Sequence, residues 1–259
     1  MKKIFAVIIC FLLASCSLPE HTSALLTKKT EIEIKRNPPA FFIARNINIV
    51  ALGDSLTEGV GDGTQQGGYV GRIEKSLQNE ERVKKLEVDN FGVKGYKTTD
   101  LLDKLKERKV RSKLEKADII VLSIGGNDVM KIVRGNILSL DFKLFQKEQK
   151  TYEKRLARII GEIRKKNKTA PIYFVGLYNP FKYTIPELTE LDIVVDEWNK
   201  ATDGILKEDE KAKFVPIADI FSLENEEQLL YKDAFHPNEI GYTLIAERVY
   251  KAIYENSRE

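Results

Sequence analysis

The sequence predicts one three-layer α/β domain built on a parallel sheet. Three observations predict it. Short apolar runs alternate with segments whose apolar residues recur at helical spacing, from residue 46 to the end of the chain. One of those runs, 117–124, is apolar throughout most of its length, as suits a central strand covered on both faces. No composition break and no internal repeat interrupts the pattern after residue 46.

Ahead of that domain the chain reads differently. Met1, Lys2 and Lys3 make a basic start, and residues 4–13 form an apolar run of about ten residues, too short to span a bilayer well. Ala14 and Ser15 then precede Cys16, which completes a signal-peptide pattern. Residues 17–45 keep no steady period and contain Pro19, Pro38 and Pro39, so they read as a tether. Ile32 and Ile34 alternate with charged residues and allow a short edge strand there. The organisation predicted is a signal peptide over 1–15, a tether over 16–45 and the α/β domain over 46–259. Leu13-Ala14-Ser15-Cys16 resembles a bacterial lipobox. That resemblance implies that Cys16 is acylated and becomes the new N-terminus. Two or more acyl chains would hold the protein stably on the extracytoplasmic face of the cell membrane.

Within the domain, residues 47–52 form the first buried strand, which stops at Gly53 and delivers Asp54-Ser55 to the carboxyl edge of the sheet. Gly-Asp-Ser is also ordinary turn composition, so the stretch alone does not decide its role. The glycine-rich loop 59–68 invites a nucleotide reading, but Thr64 and Gln66 stand where a G-x-G-x-x-G fingerprint needs glycine. It reads as a flexible rim loop. Val70, Ile73 and Leu77 share one face of a helix over 69–82. A second strand over 84–91 leads to Asn90-Phe91-Gly92-Val93-Lys94-Gly95, and a helix over 100–114 follows, with Thr98 or Thr99 as its cap. The third strand ends in Gly125-Gly126-Asn127-Asp128, and residues 130–144 are mixed and apolar-rich, able to line or cover a site. Tyr152, Leu156, Ile159, Ile160 and Ile163 keep strict helical spacing and predict a long helix to about Lys166. The fourth strand covers 171–177. Tyr178, Pro180, Phe181, Tyr183, Ile185 and Pro186 cluster on the loop beyond it, either as an acyl pocket or as packing under a loop. Leu191, Val194, Val195, Trp198 and Ile205 mark a helix, 213–217 a fifth strand, and Leu244, Ile245, Val249, Ala252 and Ile253 the stripe of a final helix.

Composition narrows the chemistry. The formal charge is +3, and loss of the segment carrying Lys2 and Lys3 leaves +1, too even a balance to suggest nucleic acid as partner. Both cysteines, Cys10 and Cys16, fall in the first sixteen residues, so the domain holds no disulfide framework and no thiolate metal site. The two histidines are His21, in the tether, and His236. Any catalytic histidine of the domain is therefore His236.

Four polar signals then fall just after strands or just before the last helix: Ser55, Gly95, Asn127, and Asp233 with His236. Acyl transfer uses these residue types. A serine hydroxyl needs a base to take its proton, and His236 can be that base. Asp233, three residues upstream, can fix the imidazole tautomer. The backbone N–H groups of Ser55 and Gly95 and the side-chain amide of Asn127 can supply the donors that an oxyanion needs. As isolated residues, Asn127 also reads as a turn residue, His236 as a packed structural histidine, and Asp54 as a group that ties down its turn.

In this set the sequence resembles the SGNH (GDSL) hydrolases. Gly53-Asp54-Ser55-Leu56 is similar to their first block, Asn90-Phe91-Gly92-Val93-Lys94-Gly95 to the second, Gly125-Gly126-Asn127-Asp128 to the third, and Asp233-Ala234-Phe235-His236-Pro237 to the last. The blocks occur in the family's order. The resemblance implies a flavodoxin-like α/β/α sandwich with five parallel strands in the order 2-1-3-4-5, and ester hydrolysis without metal or other cofactor. The long insert between strands three and four departs from the pattern, and the α/β-hydrolase elbow Gly-x-Ser-x-Gly is absent because position 57 is threonine. Among the family's branches the likeness is to lipase/acylhydrolase-like lipoproteins of Gram-positive bacteria.

The expectation is a surface-anchored serine esterase with Ser55, His236 and Asp233 as its triad and an acyl ester, lipid or acylated glycan, as its substrate. Its rivals are a carbohydrate O-acetylesterase acting on cell-wall glycans and a non-catalytic lipoprotein that binds lipid or glycan. Acyl length, the alcohol and the oligomeric state are not encoded legibly.

Overall fold

The structure, a computed structural model, describes residues 43–135, 141–182, 190–222 and 226–256. All lie in one compact unit, Ala40–Glu259. The signal-peptide and lipobox readings, the tether up to residue 42, the edge strand around Ile32 and Ile34, and Tyr183, Ile185 and Pro186 fall outside the described residues.

Five strands form one sheet in the order β2-β1-β3-β4-β5: β1 (Arg45–Gly53), β2 (Val83–Gly92), β3 (Ile119–Ser123), β4 (Ile172–Val175) and β5 (Ala212–Val215). All pairings are parallel. The expected order 2-1-3-4-5 is the observed one. The connections run through α1 (Ser55–Glu58), α2 (Gly68–Gln78), α3 (Thr98–Lys104), α4 (Arg108–Leu114), α5 (Gly126–Gly135), α6 (Phe142–Lys166), α7 (Glu190–Leu206) and, after two 3₁₀ turns, α8 (Glu239–Asn256).

Alternation along the strands divides the core in two. Val50, Leu52, Ile120, Leu122, Ile172 and Phe174 point to one face, where Leu101, Leu114, Leu156, Ile159 and Trp198 cover them. Their neighbours Ile49, Ala51, Ile119, Val121, Tyr173 and Val175 point to the other, against Ile73, Leu77, Ile245 and Val249 of α2 and α8. A strand with helices on both faces must be apolar at every position, which is why β3 reads as an unbroken run.

Two elements differ from expectation. The helix expected over 100–114 is two, α3 and α4, joined by i→i−3 hydrogen bonds from Lys106 and Glu107 N–H. Its apolar residues explain the break. Leu101 and Leu105 are in phase, as are Val110 and Leu114, but five residues separate the pairs. A continuous helix would turn Val110 about 140° away from Leu105. The interruption re-phases the chain, and all four leucine and valine side chains reach the core. The second difference is α5. The stretch from Met130 read as mixed and able to line or cover a site, with no element assigned, yet residues 126–135 are helical, and Val129, Met130, Ile132 and Val133 are buried. They form a wall of the molecule; of the stretch 130–144, residues 136–140 lie outside the described part.

Candidate active site

Ser55 is the first residue of α1, immediately beyond the carboxyl end of β1. Gly53 makes that placement possible. Its φ is +150°, and a Cβ there would stand 2.2 Å from the carbonyl oxygen of Ser123 on β3. Asp54 caps the new helix by accepting from the Leu56 N–H at 3.1 Å. The turn reading of Asp54 therefore holds, but it covers half of what the side chain does. When the carboxyl is ionised, its Oδ1 also accepts from Ser123 Oγ at 3.0 Å. Ser123 Oγ is 2.7 Å from Thr57 Oγ1, which lies 2.9 Å from the Tyr69 hydroxyl and 3.1 Å from the Leu52 carbonyl. Burial pushes the Asp54 carboxyl up to about 7, more than the bonds from Leu56 and Ser123 pull it down.

Proton counting gives the same direction. With Asp54 ionised, Ser123 gives its proton to the carboxylate and Thr57 gives its own to Ser123, so Leu52 O receives none from Thr57. With Asp54 protonated, donation runs from Asp54 to Ser123 to Thr57 to Leu52 O, and Tyr69 also donates to Thr57. Each contact of the network is then made.

His236 approaches Ser55 from the loop before α8. Its Nε2 is 2.9 Å from Ser55 Oγ, and its Nδ1 is 2.6 Å from Asp233 Oδ2. Asp233 Oδ1 accepts from the backbone N–H of Phe235 at 3.1 Å and of His236 at 3.0 Å, so the carboxylate and imidazole are locked on one short turn. Burial acts upward on Asp233, but the bonds from His236 and the two backbone N–H groups outweigh it and hold the carboxyl below its usual range. Tyr178, from the loop after β4, donates to the Phe235 carbonyl at 2.6 Å and braces the turn. Ser55 and His236 are both buried, and both line one cavity with Asn127.

Asn127 sits in the first turn of α5, and its amide donates to the Tyr96 carbonyl at 3.0 Å. One of its two N–H bonds is thereby fixed to the loop after β2. Gly95 lies on that loop in the left-handed region, φ +84°, exposed and outside the lining of the Ser55 cavity. The first-turn N–H of Ser55 has no acceptor inside its own helix. The structure thus brings Ser55, Asp233, His236 and Asn127 together and leaves Gly95 on the adjoining rim.

Sequence reasoning missed several supports. Asn90 donates to the Thr57 carbonyl at 2.7 Å and pins α1 to the end of β2. The Lys94 N–H donates to the Glu58 carboxylate beside it. Asp128 is buried and accepts from Thr98 N–H at 3.0 Å and Thr98 Oγ1 at 2.6 Å, with Arg155 at 3.3 Å. Burial raises its carboxyl, against the pull of those partners. The glycine-rich loop is bonded down more firmly than its composition suggests: Asp62 pairs with Arg72 at 2.6 Å and accepts from Thr64 and Gly68. Burial acts upward on Asp62, but those partners hold it well below the usual carboxylate range. No group of three or more histidine, cysteine or acidic side chains stands ready to hold a metal among the described residues.

This arrangement can do acyl transfer: a hydroxyl, a base within reach of it, a carboxylate behind the base, and an amide across the cavity. The GDSL-like lipase/acylhydrolase family model matches residues 51–244. The chain belongs to that family. It is a carboxylic ester hydrolase by that membership. YpmR of Bacillus subtilis (strain 168), an uncharacterized protein, is 44% identical over 232 residues, 89% of this chain and 91% of that protein. The crystal structure of the lipase Lip_vut3 from a goat rumen metagenome superposes with a TM-score of 0.72 at 25% identity, covering 81% of this chain and 98% of that one. Axe2, an acetylxylan esterase from Geobacillus stearothermophilus, shares the fold, with a TM-score of 0.60 at 21% identity over 82% of this chain and 95% of its own.

Proposed function

We propose that the protein is a lipid-anchored serine esterase that hydrolyses acyl esters through Ser55, His236 and Asp233. The observation that carries this reading is the unbroken chain of contacts from Asp233 Oδ2 through both ring nitrogens of His236 to Ser55 Oγ, opening on a cavity. Asp233 accepts from Nδ1–H and so leaves Nε2 free to take the serine proton. Ser55 Oγ attacks the acyl carbon, and the carbonyl oxygen becomes an oxyanion. The Ser55 N–H and the Asn127 amide are the donors for it at the cavity, with the Gly95 N–H a third from the rim loop, and loss of one such donor typically costs about 2.7–4 kcal/mol in the barrier. His236 returns the proton to the leaving alcohol. Water, activated by the same nitrogen, then releases the acid from the acyl-enzyme. No step calls for a metal or organic cofactor.

Cys16 is the proposed site of acylation. The basic start, the apolar run 4–13 and the lipobox-like Leu13-Ala14-Ser15 support it. The partners of this reading are an acyl ester and a membrane surface. An acylated glycan is the second substrate reading, favoured by the small size of the space beside Ser55, about 60 Å³.

The test is one expression experiment with two arms. The full chain, made in a Gram-positive host, hydrolyses p-nitrophenyl butyrate in the membrane fraction, and Cys16→Ser moves that activity to the soluble fraction. Ser55→Ala lowers turnover by at least about 10³-fold while the protein stays folded. Equal turnover by wild type and Ser55→Ala, or none by either on any ester, overturns the catalytic reading. Activity that stays membrane-bound in Cys16→Ser overturns the anchor.

A further inference from the structure

The cavity at Ser55 has an immediate neighbour. It shares five wall residues, Gly126, Leu177, Tyr178, Pro180 and Phe235, with a second cavity of about 40 Å³. The second cavity runs between α5 and α7, walled by Val129, Met130 and Val133 on one side and Leu191 and Val195 on the other, with Phe181 above. Gly126 lines both. A Cβ there would stand in ordinary contact, 3.9 Å from Leu177 Cδ2, so the glycine leaves room for a methyl-sized group at the shared wall. Phe235 also lines both, its ring 6.0 Å from Phe181 and edge-on to His236 at 5.0 Å.

The two chambers differ in chemistry. The near one carries Ser55, His236, Asn127 and Asp54. The far one has a single amide side chain, Asn179, and it is engaged: it donates to Asp192 at 3.0 Å and accepts from the Phe181 N–H at 2.9 Å. The Tyr178 hydroxyl, at the boundary, is likewise committed to the Phe235 carbonyl. A sugar ring entering there would lose its hydrogen bonds to water and find few replacements, a cost of about 1–3 kcal/mol for each polar group left unpaired. A hydrocarbon chain loses nothing and buries apolar area.

We infer that the slot between α5 and α7 is the acyl-chain site, and that it makes the protein selective for short- to medium-chain fatty acyl esters. This rests on the esterase reading above and deepens it. The acyl carbon sits at Ser55, the first carbons fill the near chamber, and the chain threads past Gly126 and Phe235. Each of the two spaces holds only a few water-sized groups, which fits an acyl chain of about four to eight carbons and not a palmitoyl tail. The alcohol is left on the solvent side, where lipid and glycan leaving groups are both accommodated.

The experiment is a chain-length series of p-nitrophenyl esters from acetate to palmitate, run on the wild type, Val195→Phe and Met130→Ala. Neither position belongs to the catalytic machinery. In the wild type kcat/KM rises from acetate to a maximum between butyrate and octanoate, by up to about fourfold for each methylene buried. Val195→Phe fills the far chamber and lowers the octanoate-to-acetate ratio at least tenfold, with acetate turnover nearly unchanged. Met130→Ala enlarges it and moves the optimum to a longer chain. The two changes have opposite signs, so partial misfolding cannot reproduce the pair, and if Val195→Phe does not fold, Met130→Ala decides alone. Unchanged profiles in the folded variants, or a wild type confined to acetate, overturn the acyl-slot inference and leave the esterase reading standing. A wild type that cleaves no ester overturns both.

Discussion

Behind the candidate nucleophile, Asp54 carries a proton that its position in the fold favours. In an unfolded chain its carboxyl ionises near 3.8; in the fold, burial moves that to about 7. Between those values the folded protein binds a proton that the unfolded chain has released, so the contribution of Asp54 to stability is full below pH 4 and is lost as pH rises through the window. The shift corresponds to an effect on the order of 4 kcal/mol. Asp54→Asn keeps the shape and the acceptor without the charge. Its melting temperature should exceed that of the wild type at pH 8, and the gap should shrink toward pH 4; a gap independent of pH would show that Asp54 is not held protonated. The residues of this network were only partly legible. Ser55, Asp233 and His236 stood out because serine, histidine and a carboxylate carry chemistry, and the domain has a single histidine. Thr57, Tyr69 and Ser123 did not, because their roles come from contacts across 12 to 69 residues of chain that no local spacing encodes. The one signal was a polar residue, Ser123, at the end of an otherwise apolar strand.

Elements bring the remaining parts of the site together. Asp128, at the start of α5, holds the start of α3 through two bonds to Thr98, and Arg155 of α6 holds Asp128. The carboxylate thus fixes Asn127 on one element against the Gly95–Thr98 loop on another. Asp128→Ala should lower kcat by roughly 10–100-fold, the scale of a displacement near 1 Å, and leave KM within about threefold. Asp128→Asn, which keeps an acceptor for Thr98, should recover part of the loss. A fall in melting temperature with kcat unchanged would leave Asp128 a purely structural residue. At this scale the sequence was readable wherever one period ran unbroken, as in α6 and α8. It misled where the phase jumped, between Leu105 and Val110. It assigned no element at α5, where two glycines open a short helix whose buried residues 129, 130, 132 and 133 do keep helical spacing.

Across the whole molecule, strand order decides what can meet. With β1 between β2 and β3, the ends of three neighbouring strands deliver Ser55, the Gly95 loop and Asn127 to one edge of the sheet. The loop into α8 brings His236 over that edge from 181 residues away. The alternation of strands and helices gave the layers, while the order 2-1-3-4-5 came from resemblance alone, since nothing in hydrophobic period says which strands are neighbours. The central claim is that this edge activates Ser55. The most direct measurement is reaction of the folded protein with a fluorophosphonate probe, followed by mass spectrometry of the peptides. One probe per chain is predicted, on Ser55, with no labelling of Ser55→Ala and labelling of His236→Ala slowed by at least about 10²-fold. Absence of label on the folded wild type, or label carried by another residue, would contradict the account.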